Sequence, residues 1–150
     1  MIEFTVAGEP EGKARPRLGR GGHTYTPRKT AAYEASVREA FLTEVYKHRP
    51  EGVELGEEIA LDGPIRVQVI AYFRIPKSYS RKRREKILAG KEFPTKKPDI
   101  DNIEKIITDA LNGLAYHDDS QIVWCLGLKV YGEPDEDPHV DVMIEEAGAE

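Results

Sequence analysis

KPDIDNIEKIITDALNGLAYHDDSQIVWCLGLKV, residues 97–130, decides the fold. Ile103, Ile106, Ile107, Ala110, Leu111 and Leu114 fall at i, i+3, i+4, i+7, i+8 and i+11. That spacing places them on one side of a helix running from Asp101 to Asn112, with Gly113 at its end. Beyond it, Ile122, Trp124, Leu126, Leu128 and Val130 alternate with other residues, the period of a strand. An apolar helical stripe this regular must meet a sheet.

Working toward the N-terminus, Lys96, Lys97 and Pro98 close a loop, and Ser80 caps a short basic helix that reaches Leu88 and stops at Gly90. Ile65, Val67, Val69, Ala71, Phe73 and Ile75 alternate through the longest strand. Residues 49–63 form a connection without periodicity. Tyr33, Val37, Phe41 and Val45 recur every fourth residue, which predicts an amphipathic helix from Thr30, its cap, to His48. Gly12 to Pro27 reads as an exposed loop, and Ile2, Phe4 and Val6 as a short strand with one buried face. Toward the C-terminus, Val140, Val142 and Ile144 mark a last strand. The expected class is α+β, a small mixed sheet packed with helices in the order β-α-β-α-α-β-β, in one domain over residues 1–150.

Size agrees, since 150 residues suit one core. No stretch approaches the roughly 18 consecutive apolar residues of a membrane span, so a soluble cytoplasmic protein without a membrane partner is expected. The single cysteine, Cys125, excludes an internal disulfide and a thiolate metal cluster. A net charge of −5 argues against a nucleic-acid partner only on average. Residues 13–29 hold six bases (Lys13, Arg15, Arg17, Arg20, Arg28, Lys29) and no acid, and residues 77–97 hold nine bases against two acids. Local fields of this kind steer polyanions. Lys13, Arg15, Arg17, Arg20, Lys29, Arg81, Lys82, Arg84, Lys96 and Lys97 are the candidate phosphate contacts, although a charge run is by itself usually a solvated face.

The chemistry centres on Asp99 and Asp101. Pro98 favours extended geometry before it, and in an extended segment residues two apart point the same way. The two carboxylates then aim at one point as hard oxygen ligands for magnesium, with manganese as a substitute. The alternative is that Asp101 caps the helix, with Glu104 completing a capping box. Asp118 and Asp119 are turn residues on one reading; on the other, the return from helix to strand brings one of them toward the pair. Lys105, four residues after Asp101, either steadies a phosphate or leaving oxygen or forms an ion pair with Asp101. Asp109 reads as a structural acid. His23, His48, His117 and His139 lack metal-ligand spacing, and Tyr25 is a packing tyrosine or a stacking platform. Carboxylates that hold a divalent metal beside basic stretches suit phosphodiester hydrolysis.

These segments resemble the RusA family of Holliday junction resolvases. PDIDNIEKIITDALNGLAYHDDSQIV, residues 98–123, is similar to the family's D-x-D-N, K, D-A-L and D-D-x-Q-V pattern, and GKARPRLGRGGHTYTPRKTAAYE, residues 12–34, to its G-K-x-R-P-R and Y-T-P segment. The resemblance implies a RusA-like homodimeric, magnesium-dependent endonuclease that nicks a four-way junction in pairs during DNA recombination and repair. It places the metal ligands on Asp99, Asp101 and Asp119, the essential lysine on Lys105, and Asn102 beside the pair, with Asp118 ranked below Asp119. The acidic end from Glu133 to Glu150 departs from what a DNA binder needs. Three alternatives remain: a nuclease for forks or flaps, a non-catalytic nucleic-acid-binding module, and a metal-dependent transferase using D-x-D. The last lacks a glycine-rich phosphate loop.

Overall fold

A computed structural model describes residues 1–49 and 59–148. Most of the aperiodic connection at 49–63 therefore lies outside the described residues, as does Glu150 of the acidic end. In chain order the elements are β1 (Ile2–Ala7), β2 (Arg17–Leu18), β3 (Thr24–Tyr25), α1 (Arg28–Lys47), β4 (Ile65–Phe73), α2 (Arg81–Leu88), α3 (Ile100–Leu111), a 3-10 turn (Asp119–Gln121), β5 (Ile122–Tyr131) and β6 (His139–Glu146).

The odd-numbered side chains of β4, from Ile65 to Phe73, are all buried. This strand lies inside a four-stranded sheet of order β1-β6-β4-β5, antiparallel to β6 and parallel to β5. The sheet is therefore mixed and the class α+β, as expected. Helices α1 and α3 share one face of it. Val37 and Phe41 of α1 pack with Ile103, Ile106, Ile107, Ala110 and Leu111 of α3 over Phe4, Val6, Val67, Val69, Val142 and Ile144. These residues form the core among the described residues, and α3 is fixed by the apolar stripe legible in the sequence.

Four local expectations are corrected. Helix α1 begins at Arg28 after Pro27, without a side-chain cap, and Thr30 is a buried residue inside it. A proline before the first turn presets the backbone and makes a cap at Thr30 unnecessary. The loop of residues 12–27 contains a small antiparallel ribbon, Arg17 opposite Tyr25 and Leu18 opposite Thr24, turned by Gly21 and Gly22 with positive φ. Helix α3 starts at Ile100, so Asp99 rather than Asp101 stands at its N-cap. The alternation of β5 is also broken at its start. Ile122 pairs with Ile65 on the core side, the register then shifts, and Trp124 pairs with Arg66. This bulge turns Trp124, Leu126, Leu128 and Val130 to the face opposite the helices, leaving Trp124 42% and Leu128 43% exposed.

The turn between α3 and β5 is tied by Gln121. Its side-chain oxygen accepts from the N–H groups of His117 and Asp118, at 2.8 and 2.9 Å, and its amide donates to the carbonyls of Leu61 and Gly63. Asp118 completes a capping box by accepting from Ser120 N–H at 3.1 Å. Gln121→Ala leaves these groups unpaired and is expected to lower stability by about 1–3 kcal/mol. Urea denaturation measures the loss, and an unchanged midpoint would show that the turn holds without the amide.

Candidate functional site

Asp99 and Asp101 lie within one turn of each other at the start of α3, both exposed. Asp99 has extended dihedrals (φ −67°, ψ 149°) and makes no side-chain cap bond, and Asp101 is already inside the helix. The extended-segment geometry expected for the pair therefore ends at Asp99, and the capping box of Asp101 with Glu104 does not form. Among the described residues, no hydrogen bond or ion pair occupies the carboxylates of Asp99, Asp101 or Asp119. The positive end of α3 favours negative charge at this place.

Asp118 and Asp119 divide the two readings of their turn between them. The carboxylate of Asp118 is committed to Ser120, whose hydrogen bond holds it below the usual carboxylate range. Asp119 is exposed beside Tyr116, whose phenol donates to the carbonyl of Thr108, two turns along α3 from Asp101. Among the described residues, no three His, Cys, Asp or Glu side chains lie close enough together to hold one metal ion.

Lys105 does not pair with Asp101. Its ammonium lies 3.6 Å from Asp109 Oδ2, and its side chain is 60% exposed. The same Asp109 oxygen is 3.4 Å from the Lys13 ammonium, which is also 2.8 Å from Glu34. Burial alone would lower the pKa of Lys13, but the hydrogen bond and charge of Glu34 and the charge of Asp109 outweigh it and raise the group above the ordinary lysine value.

The basic stretches meet at this end of the molecule. A cleft of about 360 Å3 is lined by Lys29 from the first stretch and Lys96 and Lys97 from the second, next to Pro98 and Gly12, and by Glu9 and Glu11, of which Glu11 pairs with Lys29 at 3.3 Å. Arg74, on its wall, is taken up by Asp137 of the acidic turn. Gly12 fits against the helix start because a Cβ there would come within 2.9 Å of Pro98 Cβ and 3.2 Å of Asn102 Cβ. Arg15, Arg17 and Arg20 are exposed on and beside the ribbon with Tyr25, and Arg81 and Lys82 are exposed on α2. Arg84 instead donates to the carbonyls of Tyr79 and Pro76, both at 3.1 Å, and braces the loop before α2.

The sequence offered Glu104 only as a capping partner of Asp101, and Gln121 only as one residue of the quoted motif. Glu104 lies over Gly127 of β5, and burial followed by the charge of Asp101 raises its pKa. Burial pushes the Cys125 thiol up to about 11, which keeps it from serving as a thiolate. Gln121 had a readable signal, since Asp118 and Gln121 have capping-box spacing. Three histidines make local contacts: His48 with Glu44, His117 with Asp62, and His139 stacked on Tyr72.

Two comparisons with known proteins bear on this site. Residues 7–145 match the family described as Endodeoxyribonuclease RusA. A protein of Bacillus subtilis (strain 168) named "Uncharacterized protein YqaN" is 41% identical over 153 residues, covering 99% of this chain and 98% of that protein. The match spans the aspartate pair, the lysine, the turn and the basic cleft together, and the chain belongs to the RusA family of endodeoxyribonucleases, hydrolases that act on DNA.

Proposed function

We propose that the chain is a magnesium-dependent resolvase that cuts four-way DNA junctions by paired, symmetric nicks as a homodimer. The family acts on branched DNA and is divalent-metal dependent. The observation that carries the finer reading is the pair of uncommitted carboxylates, Asp99 and Asp101, beside a cleft where lysines of both basic stretches meet.

The donor set suits magnesium. Magnesium is held through one or two carboxylates, with waters and substrate phosphate completing its shell, so a three-carboxylate protein cage is not required. Asp99 and Asp101 would hold the ion, with waters and substrate phosphate as its other donors, and manganese would substitute. Once bound, the ion supplies a counterion for the phosphate and makes a water nucleophilic at neutral pH. Lys105 presents its exposed ammonium to the scissile phosphate or the leaving oxygen. Lys29, Lys96 and Lys97 hold the flanking phosphates, and Arg15, Arg17, Arg20, Arg81 and Lys82 extend the track without reading sequence.

Support for a second copy comes from the sheet face that, among the described residues, no helix covers. There Trp124, Leu126, Leu128 and Val130 of β5 adjoin Ile70 of β4 and Met143 of β6. An exposed apolar row of this kind marks a protein interface, and a two-fold axis through it would supply the two sites that symmetric nicking needs.

The testing experiment is cleavage of a synthetic four-way junction beside a linear duplex of the same sequence, with magnesium and with EDTA. Paired nicks confined to the junction and lost in EDTA are expected, whereas binding without nicking would return the chain to a non-catalytic module. Asp101→Asn should abolish nicking and leave junction affinity equal or tighter, because a negative charge near phosphate is removed; joint loss of both would sink this division of roles. Lys105→Ala should slow nicking at least about a hundredfold with little change in affinity. Unchanged turnover would leave Lys105 with only its ion pair. Trp124→Glu together with Leu128→Glu should convert a species of twice the 16.9 kDa chain mass into monomer in light scattering. A persistent dimer would place the interface elsewhere.

A further inference from the structure

We infer that Lys13 is a positioning residue of the cleavage site, holding Asp109 where Asp109 can orient Lys105 without capturing it. This rests on the reading of Lys105 as a residue of cleavage. The first basic stretch divides at this lysine. Arg15, Arg17 and Arg20 point to solvent, but the Lys13 side chain is only 17% exposed and lies between Glu34, 12% exposed, and Asp109, 21% exposed. To reach a phosphate it would have to leave the half-buried Glu34 without its partner and Asp109 with Lys105 alone, which disfavours a role in binding.

Its backbone is fixed at the other end of the site. The Lys13 N–H donates to the Asn102 carbonyl at 2.9 Å, one residue after Asp101, and Gly12 is seated on Pro98 and Asn102. The segment is therefore docked at the start of α3 while its ammonium reaches Asp109, two turns further on. One oxygen, Asp109 Oδ2, then faces two ammonium groups, Lys13 at 3.4 Å and Lys105 at 3.6 Å. Shared in this way, Asp109 is held by Lys13, the less exposed partner, and draws Lys105 only partly. Lys105 stays 60% exposed, directed but available to a phosphate. Without Lys13, the whole charge of Asp109 would bear on Lys105.

The test compares Lys13→Met and the isosteric Asp109→Asn with the parent protein in single-turnover junction cleavage, in junction binding in EDTA, and by NMR of 13C-methylated lysines. Lys105→Arg identifies the Lys105 signal, and Lys47→Met serves as a control far from the site. Both variants are expected to slow cleavage about tenfold or more with affinity held within about twofold, as displacement of a reacting group does. Both should also shift the Lys105 methyl resonance, and Lys47→Met should change none of the three. Unaltered rates, an affinity loss that accounts for the slower cleavage, or an unmoved Lys105 resonance would overturn the inference. If Lys13→Met does not fold, Asp109→Asn carries the same test. If the parent protein cuts no junction, that failure belongs to the resolvase reading, and the resonance alone decides the role of Lys13.

Discussion

Helix α3 approaches strand β5 so closely at Gly127 that no side chain fits there. A Cβ at that position would run into the Glu104 carboxylate and come within 2.8 Å of Ile100 Cγ1. This contact sets the height of the first helical turn above the sheet, while the buried stripe from Ile103 to Leu111 sets its rotation. Once both are fixed, Asp99, Asp101 and Lys105 have no choice but to face solvent. The docking of Gly12 and Lys13 on Pro98 and Asn102 then brings the N-terminal basic segment to the same end.

The net negative charge loses its force as an objection once the bases and acids are placed. Lysines from two distant stretches gather around one cleft, and several carboxylates are neutralised locally: Glu34 and Asp109 by Lys13, Asp137 by Arg74, Glu92 by Arg83. What a polyanion meets is set by the unpaired surface near it, because screening confines exposed charges to about 10 Å. The two faces of the sheet are equally unlike each other. One is covered by α1 and α3, and the other presents the β5 apolar row between charged neighbours such as Arg66 and Glu145.

Elements with a sustained period were legible in the sequence. The α3 stripe, the β4 alternation and the Ser80 cap all appear where the residues place them, since each repeats one physical requirement over several turns or pleats. Single-residue events were not. The bulge at the start of β5 reverses which face Trp124 takes, and no alternation can reveal the residue at which it happens. The α3 cap falls at Asp99 because the helix can begin two residues after Pro98, one step earlier than the apolar stripe alone required. The ribbon of β2 and β3 is too short to show a period. For the site, residue types and spacing singled out Asp99 and Asp101 and left Lys105, Asp118 and Asp119 with two readings each; the family resemblance alone ranked Asp119 above Asp118 and made Lys105 the essential lysine. Types and spacing could not separate Lys13 and Arg84, which are half-buried against partners, from Arg15 and Arg81, which are exposed, because that pairing depends on groups outside each basic run, such as Glu34 and the Pro76 carbonyl.

The parallel pairing of β4 with β5 has an unusual corollary. Everything between those two strands, residues 74–121, forms a single crossover, and it carries α2, Lys96 and Lys97 of the cleft, the aspartate pair, Lys105 and Asp119. Pairs separated so far along the chain form late, because a long loop must close before any contact rewards it. The candidate site residues are therefore gathered by the same pairing that adds β5 to the sheet. A chain lacking β5 would leave these acids and bases on a segment that nothing pins at its far end.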